Sequence, residues 1–280
     1  MKLEAVKKLL KRFDVFPSKR LGQNFLINEG VFKKIIKTAN LSKNDLILEI
    51  GPGVGNLTLE LAKTTKKVIA IEKDEKMCEI LKDVLGSWNI KNVKIIKKDI
   101  LKLDQKPYIL KPYKIVANLP YYITSPVIRK FLEFEKPPEL MVLMVQKEVA
   151  KRICALPPKM SLLAVSVQFY AKPEIISFVS KRSFWPQPKV DSAIIKIVPR
   201  RPVPHKIRSG ERFRDCFFKI VKAGFSHPRK QLINNLSKEL KLDKEKIKNW
   251  LLENGVKPSQ RAESLSVENW QKLTKNFKIQ

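Results

Sequence analysis

Residues 46–58 read LILEIGPGVGNLT and decide the fold class of this 280-residue chain. The apolar run Leu46–Ile50 passes directly into the glycine-rich turn Gly51–Gly55, and a helix start follows from Asn56. A strand, a glycine turn and a helix in this order are typical of a βα unit in a parallel sheet. Glycines in such a turn let bare backbone approach a nucleotide-like ligand, so we expect Gly51 and Gly53 to bind one.

Outward from this unit, short apolar runs alternate with helical patterns through the first 200 residues. The predicted strands are 46–50, 68–72, 93–97, 114–117, 140–145, 175–179 and 193–198, and the predicted helices are 29–39, 74–85, 126–134 and 162–170. This alternation predicts an α/β fold, a doubly wound, Rossmann-like domain over residues 1–200.

A second domain is predicted after the segment PRRPVP at 199–204. Three prolines and two arginines in six residues can continue neither a helix nor a central strand, so this segment is predicted to be a linker. Helical spacing of apolar residues follows at 213–221, 232–240, 247–252 and 267–277. We therefore expect a small all-helical domain over residues 205–280.

The charge of the chain favours a polyanionic partner. Lys and Arg number 57 against 27 Asp and Glu, which gives a formal net charge of +30. Residues 151–250 hold 23 basic and 7 acidic side chains, whereas residues 51–150 hold 18 and 12. A soluble protein usually tolerates such self-repulsion because it binds nucleic acid.

Other function classes are disfavoured by composition. The three cysteines form no C-x-x-C pair and both histidines adjoin prolines, so we predict no disulfide framework, no metal site and no His-dependent triad. No run approaches the roughly 18–20 apolar residues of a membrane span, and the first 20 residues lack the apolar centre of a signal sequence. We expect a cytoplasmic protein without a membrane partner, and a disordered or induced basic arm at Lys2–Arg12.

Two acidic residues point to the ligand of the glycine turn. Glu72 ends the strand after the turn, where its carboxylate can accept hydrogen bonds from both ribose hydroxyls, and Asp99 follows the third strand. A dinucleotide fingerprint would place a third glycine where this chain has Asn56. This difference favours S-adenosyl-L-methionine, which has no pyrophosphate to bind, over a nicotinamide dinucleotide.

The sharper motif is Asn118-Leu119-Pro120-Tyr121, at the end of the fourth strand. The exocyclic amine of a nucleobase is a poor nucleophile because its lone pair delocalises into the ring. The Asn118 side chain and the Leu119 carbonyl can accept the two N–H donors and favour the pyramidal, nucleophilic amine in the transition state. Pro120 would stiffen this turn, and Tyr121 offers a face on which a flipped-out base can stack.

Seven segments in order carry a family resemblance. They are KRLGQNFL at 19–26, EIGPGVGNLT at 49–58, NLPYYITSP at 118–126, QKEVAKR at 146–152, FWPQPKVDSA at 184–193, HPRKQLINNL at 227–236 and RAESLS at 261–266. With these segments the chain resembles the ribosomal RNA adenine N6,N6-dimethyltransferases, the KsgA family. The resemblance implies S-adenosylmethionine-dependent dimethylation of two adjacent adenosines in a hairpin loop near the 3′ end of small-subunit rRNA, with a role in small-subunit biogenesis.

The resemblance also implies roles for individual residues. Asn24, Leu26, Gly51, Glu72, Asp99 and Asn118 would line the cofactor site, Asn118 through Tyr121 would hold the target adenine, and Phe184 would offer a second stacking face. The expected partner is rRNA in an immature small subunit, bound by a monomer.

Residues 181–230 hold 14 basic and 3 acidic residues and are predicted to touch RNA phosphates. The residues expected to do so are Arg200, Arg201, Arg208, Arg229 and Lys230; for the last two, pairing with acidic neighbours or a solvated helix start is the alternative. Three other functions stay open from sequence: methylation of one large-subunit adenine, a non-catalytic assembly factor, and a nicotinamide-dependent dehydrogenase. The dehydrogenase explains neither the NLPY turn nor the charge.

Overall fold

The computed structural model of the protein describes residues 1–104, 106–108, 112–200 and 209–277. It divides into two compact units. The first, here called the sheet unit, comprises Met1–Ala150 and Lys172–Pro199, and the second, the helical unit, comprises Lys151–Ala171 and Arg200–Gln280. Among the described residues, no helix combines the length and apolarity needed to cross a membrane.

The strands form one large sheet and one small one. In chain order they are β1 (Phe25–Leu26), β2 (Leu46–Ile50), β3 (Lys67–Glu72), β4 (Val93–Lys97), β5 (Lys114–Asn118), β6 (Leu140–Gln146), β7 (Ala171–Val179), β8 (Phe184–Trp185) and β9 (Ser192–Pro199). The seven-stranded sheet has the order β4-β3-β2-β5-β6-β9-β7, and β1 pairs with β8. Neighbours from β4 through β6 are parallel, and β9 runs antiparallel to β6.

The helices in chain order are α1 (Leu3–Arg12), α2 (Glu29–Ala39), α3 (Asn56–Thr64), α4 (Glu75–Ser87), α5 (Thr124–Leu132), α6 (Lys147–Ile153), α7 (Leu162–Tyr170), α8 (Ser209–Gly224), α9 (Leu232–Leu240), α10 (Lys244–Glu253) and α11 (Val267–Lys275). Local chemistry sets several starts: the Asn28 side chain accepts from Val31 N–H at α2, and the Asp74 side chain accepts from the Lys76 and Met77 N–H groups at α4.

The parallel part of the sheet confirms the predicted doubly wound, Rossmann-like fold. Strand order reverses between β2 and β5. On one side of this point lie β2, β3 and β4, and on the other side lie β5 and β6. In such sheets ligands bind outside the carboxyl ends of the strands at the switch point. β2 carries the glycine turn and β5 carries NLPY, so the topology brings the two motifs to one edge.

The amino-terminal segment differs from its prediction. Residues 3–12 form α1, with Val6 and Leu10 fully buried in a cluster that includes Phe25, Val54 and Met77. The disordered or induced arm expected for Lys2–Arg12 is therefore wrong. Apolar residues at helical spacing give this Lys-rich segment one apolar stripe, and burial of that stripe outweighs the repulsion among its exposed lysines.

The helical unit also departs from the predicted boundary in one segment. Residues 151–171, which lie inside the predicted 1–200 domain, pack with the carboxyl-terminal helices. Ala164 and Val165 of α7 are fully buried in one cluster with Phe217 and Trp270, and the Phe169 and Phe217 rings lie 4.3 Å apart between centroids. Periodicity identifies α7 as a helix over the predicted residues, but it does not say which core that helix joins.

Candidate active site

A cleft lies at the carboxyl ends of β2, β3 and β5 in the sheet unit. Its empty volume, with the open mouth included, is about 1230 Å³. Its lining contains ten of the residues predicted from sequence: Asn24, Leu26, Gly51, Gly53, Glu72, Asp99, Asn118, Leu119, Pro120 and Tyr121. The structure thus brings together both predicted motifs and both predicted acids.

The glycine turn forms one wall of the cleft. Gly51 and Gly53 have φ angles of +68° and +55°, which side chains other than glycine rarely adopt. A Cβ on Gly53 would lie 3.0 Å from the Phe25 ring, and one on Gly51 would lie 3.3 Å from Pro120 Cδ. The positive φ angles therefore favour glycine at both positions, the close packing leaves little room for a Cβ, and bare backbone faces the cleft.

Glu72 is fixed by backbone donors. One carboxylate oxygen accepts hydrogen bonds from the N–H groups of Lys73 (2.8 Å) and Asp74 (2.9 Å), and the other accepts from Gly53 N–H (3.2 Å). Burial raises the pKa of Glu72, and the three backbone donors oppose that shift. The carboxylate is thus oriented before any ligand arrives, with acceptor capacity left for hydroxyl groups.

Asp99 lies just beyond the carboxyl end of β4 and is ionised. Its carboxylate accepts from Lys73 Nζ (2.9 Å) and from Leu101 N–H (3.0 Å). The hydrogen bond from Lys73 is the main cause that lowers the pKa of Asp99. The group is therefore an ionised acceptor, suited to an exocyclic amine.

Asn118 is oriented by a residue far away in sequence. Its side-chain amide nitrogen donates to the backbone carbonyl of Asn24 at 3.1 Å. Asn24 in turn donates from its side chain to the Gly22 carbonyl at 3.1 Å, and Gln23 donates to Asp74 at 2.9 Å. These bonds leave the Asn118 carbonyl oxygen as an acceptor in the cleft.

The rest of the NLPY turn is held just as firmly. Leu119 N–H donates to the Met144 carbonyl (3.3 Å), and Ile123 N–H donates to the Pro120 carbonyl (3.1 Å). The half-buried Tyr121 ring is fixed by a 2.7 Å hydrogen bond between its hydroxyl and that of Ser192, which is fully buried on β9. Base-stacking surface and acceptors are therefore preorganised together.

Glu49 and Asn56 are among the polar residues of the cleft that were not predicted as site residues. Glu49 is only 1% exposed, its Oε2 has no hydrogen-bond partner among the described residues, and burial raises its pKa to about 8. Asn56 is buried and donates to the Leu26 carbonyl at 2.8 Å, which ties β1 to the glycine turn. The sequence feature that could have identified Glu49 is a carboxylate within an otherwise apolar strand, because such a strand is buried on both faces.

Phe184 does not lie in the cleft. It is 3% exposed and sits in a hydrophobic cluster with Leu26 and Phe32. Its ring packs as core here, so the predicted role as a second stacking face would require it to leave that packing.

The predicted RNA-contacting residues are exposed where the structure describes them. Arg200, Arg229 and Lys230 are exposed, and none of the three has an ion pair within the described part of the chain. Lys230 N–H donates to the His227 carbonyl, and α9 begins two residues later at Leu232. Arg201 and Arg208 lie outside the described residues.

The model of the family described as "Ribosomal RNA adenine dimethylase" matches residues 17–278. Among curated relatives, "Ribosomal RNA small subunit methyltransferase A" of Dehalococcoides mccartyi (strain ATCC BAA-2266) is 43% identical over 270 residues, which cover 95% of this chain and 90% of that protein. The protein of the same name from Clostridioides difficile (strain 630) is 39% identical, with 96% and 94% covered.

Two solved structures are similar over nearly the whole chain. A dimethyladenosine transferase from Plasmodium falciparum has a TM-score of 0.72 and 28% identity, covering 89% of this chain and 95% of that one. The 23S rRNA methyltransferase ErmE has a TM-score of 0.72 and 27% identity, covering 90% and 98%.

Proposed function

We infer the substrate and the chemistry of the cleft from one premise: this chain belongs to the ribosomal RNA adenine dimethylase family. It is an enzyme that dimethylates adenine in ribosomal RNA and uses S-adenosyl-L-methionine. The proposal concerns which RNA it modifies and what each residue does.

The proposed substrate is a pair of adjacent adenosines in a hairpin loop near the 3′ end of small-subunit rRNA, within an immature small subunit in the cytoplasm. Relatives named for small-subunit rRNA reach 44% identity over 95% of the chain, which supports this choice. A monomer suits a partner as large as a ribosomal subunit.

The cleft suits the cofactor on the chemistry of its donors and acceptors. We propose that Glu72 accepts hydrogen bonds from the ribose hydroxyls and that Asp99 accepts one from the adenine amine. The bare backbone of Gly51 and Gly53 would lie against the cofactor. Asn24 and Leu26 would complete this side of the pocket. When bound, S-adenosyl-L-methionine supplies a sulfonium-activated methyl group.

The observation that carries the proposal is the fixed orientation of Asn118. Because its amide nitrogen is bound to Asn24, its carbonyl oxygen can accept one N6–H of a target adenine. The Leu119 carbonyl would accept the other, and together they favour a pyramidal nitrogen whose lone pair is free to attack. Tyr121, fixed by Ser192, would stack the extruded base, and Pro120 would hold the turn.

The basic surface of the helical unit is proposed to hold the RNA. Arg200, Arg229 and Lys230 are exposed cations free to neutralise phosphates, and Arg201 and Arg208 are proposed to extend this contact. Sequence-independent phosphate contacts would position the subunit, and the cleft would select the base.

Two other functions are separable by experiment. Similarity to ErmE supports a large-subunit adenine as the competing target. The formal net charge of +30 favours, as a second candidate, an assembly role that needs no methyl transfer.

The test is transfer from labelled S-adenosyl-L-methionine to unmethylated small subunits, large subunits and naked rRNA, with nucleoside mass spectrometry locating the product. We expect dimethyladenosine only in small-subunit rRNA, at two neighbouring positions. Product in large-subunit rRNA would reassign the substrate, and tight subunit binding without transfer would favour the assembly role.

A further inference from the structure

Two consecutive tyrosines of the cleft lie in opposite environments. Tyr121 is half-buried and its hydroxyl is bonded to Ser192. Tyr122 also lines the cleft but is 57% exposed, and its hydroxyl makes no hydrogen bond within the described residues. An exposed ring that lines the cleft presents an aromatic face to any ligand bound there.

One edge of the Tyr122 ring lies next to Gly22. A Cβ built on Gly22 would lie 3.5 Å from Cδ1 and 3.7 Å from Cε1 of the ring, which are ordinary van der Waals distances. Gly22 has a φ of +63°, and its carbonyl accepts from Asn24, so the ring adjoins the loop that orients Asn118. Tyr122 itself belongs to the short 3₁₀ turn Tyr121–Ile123.

Two lysines, Lys73 and Lys98, line the same cleft as this ring. Lys73 is already bonded to Asp99. A flat, exposed ring in a cleft that takes one base suits the stacking of a second base.

We propose that Tyr122 stacks the nucleotide next to the target adenine. The inference rests on the proposed function, because it needs an RNA target in the cleft. Tyr121 then receives the base to be methylated and Tyr122 receives its neighbour, so one short turn separates two consecutive bases. The enzyme reads a purine beside its target through this second ring.

The test uses small subunits assembled on transcribed rRNA in which one of the two adjacent adenosines is replaced by guanosine or by uridine. Guanosine stacks well and uridine poorly, while the remaining adenosine stays as the single target. KM and kcat for methyl transfer are measured for the wild type, Tyr122→Ala, Tyr122→Phe and the matched control Phe178→Ala. Phe178 is an equally exposed aromatic, at 54%, that does not line the cleft.

With a guanosine neighbour, we expect Tyr122→Ala to raise KM about 5- to 150-fold, the loss of one base–aromatic stack. With a uridine neighbour the loss should be several-fold smaller. Tyr122→Phe and Phe178→Ala should resemble the wild type with both substrates. The affinity for S-adenosyl-L-methionine alone, measured by calorimetry, should be the same in all four proteins.

Three results would overturn the inference. An unchanged KM in Tyr122→Ala would show that the ring does not stack on the neighbouring base. An equal rise in KM with both neighbours would show that Tyr122 contacts the target base or supports folding. A loss in Tyr122→Phe as large as in Tyr122→Ala would assign the effect to the hydroxyl. Absence of transfer by the wild type to either subunit would instead contradict the proposed function itself.

Discussion

The Asn118 side-chain amide donates to the Asn24 backbone carbonyl at 3.1 Å, across 94 positions of sequence. This bond determines which end of the amide faces the cleft. An amide can donate or accept, and only its carbonyl oxygen can bind an N6–H group. The loop around Asn24 therefore takes part in the chemistry by orienting Asn118.

Replacing Asn118 by alanine is expected to lower kcat about 10²- to 10³-fold, the usual cost of losing one group aimed at the transition state. The dissociation constant of S-adenosyl-L-methionine should change much less, because the lost acceptor acts on the target amine. Single-turnover kinetics and calorimetry measure the two quantities. Asn44→Ala, at an exposed asparagine outside the cleft, is the control and should leave both unchanged. A variant that loses cofactor affinity and rate equally would contradict the assigned role.

Glu72→Ala is expected to weaken cofactor binding by about 10- to 100-fold, since hydrogen bonds to a charged acceptor contribute roughly 1.5–3 kcal/mol each. The variant also frees the N–H groups of Gly53 and Asp74 that the carboxylate now binds. Titration calorimetry with S-adenosyl-L-methionine gives the affinity. Glu79→Gln changes the charge equally at an exposed position of α4 and should bind as the wild type does. Equal affinity in Glu72→Ala would exclude the ribose contact.

The buried Glu49 should make stability depend on pH. Burial is the main cause that raises its pKa from 4.5 to about 8, and the charge of Glu72 adds to this. Between these two values the folded state keeps a proton that the unfolded state has lost, so stability falls as pH rises. The wild type should lose up to about 1.4 kcal/mol per pH unit relative to Glu49→Gln between pH 5 and 8.

Urea unfolding of the cofactor-free protein at pH 5, 6.5 and 8 measures this difference. Glu253→Gln, at an exposed carboxylate with no ion pair in the described residues, should follow the wild type at every pH. A constant gap between Glu49→Gln and the wild type would show that Glu49 is ionised in the folded protein.

Two variants of Phe184 distinguish a role in core packing from a role in base stacking. Because the Phe184 side chain is 3% exposed, Phe184→Ala should lower the free energy of unfolding by about 3–5 kcal/mol, the usual range for a core phenylalanine. Phe184→Leu fills most of that space, so it should cost under about 1.5 kcal/mol. Denaturant unfolding and kcat are compared for the two variants. A stable Phe184→Leu protein with a strongly lowered kcat would support the stacking role; wild-type kcat would support packing.

Charge reversal at Arg229 and Lys230 is expected to weaken small-subunit binding and to reduce its dependence on salt. Each lost phosphate contact should lower the slope of log K against log salt by roughly one. Binding is measured from 50 to 300 mM KCl. The control is charge reversal at Lys66 and Lys67, two exposed lysines at the amino end of β3. It changes the net charge by the same amount at a place away from the cleft edge. Equal effects of the two double variants would mean that only net charge matters.

Much of the fold could be predicted from local pattern. Leu46–Ile50, Glu29–Ala39 and Leu162–Tyr170 have the predicted bounds, because apolar periodicity reflects the side that an element buries. The fate of the basic segment at residues 3–12 could not be predicted in the same way. Its helix depends on apolar partners as distant as Met77, and charge dominates its composition.

The sequence by itself determined the fold class and the composition of the cleft. Glycine turn, acids and NLPY each follow a strand, and parallel strands bring their carboxyl ends to one edge whatever the loops do. Only the tertiary structure decided the orientation of Asn118, the burial of Phe184 and the contrast between Tyr121 and Tyr122. These depend on partners such as Asn24, Ser192 and Gly22, which chain folding brings near and which no local pattern encodes.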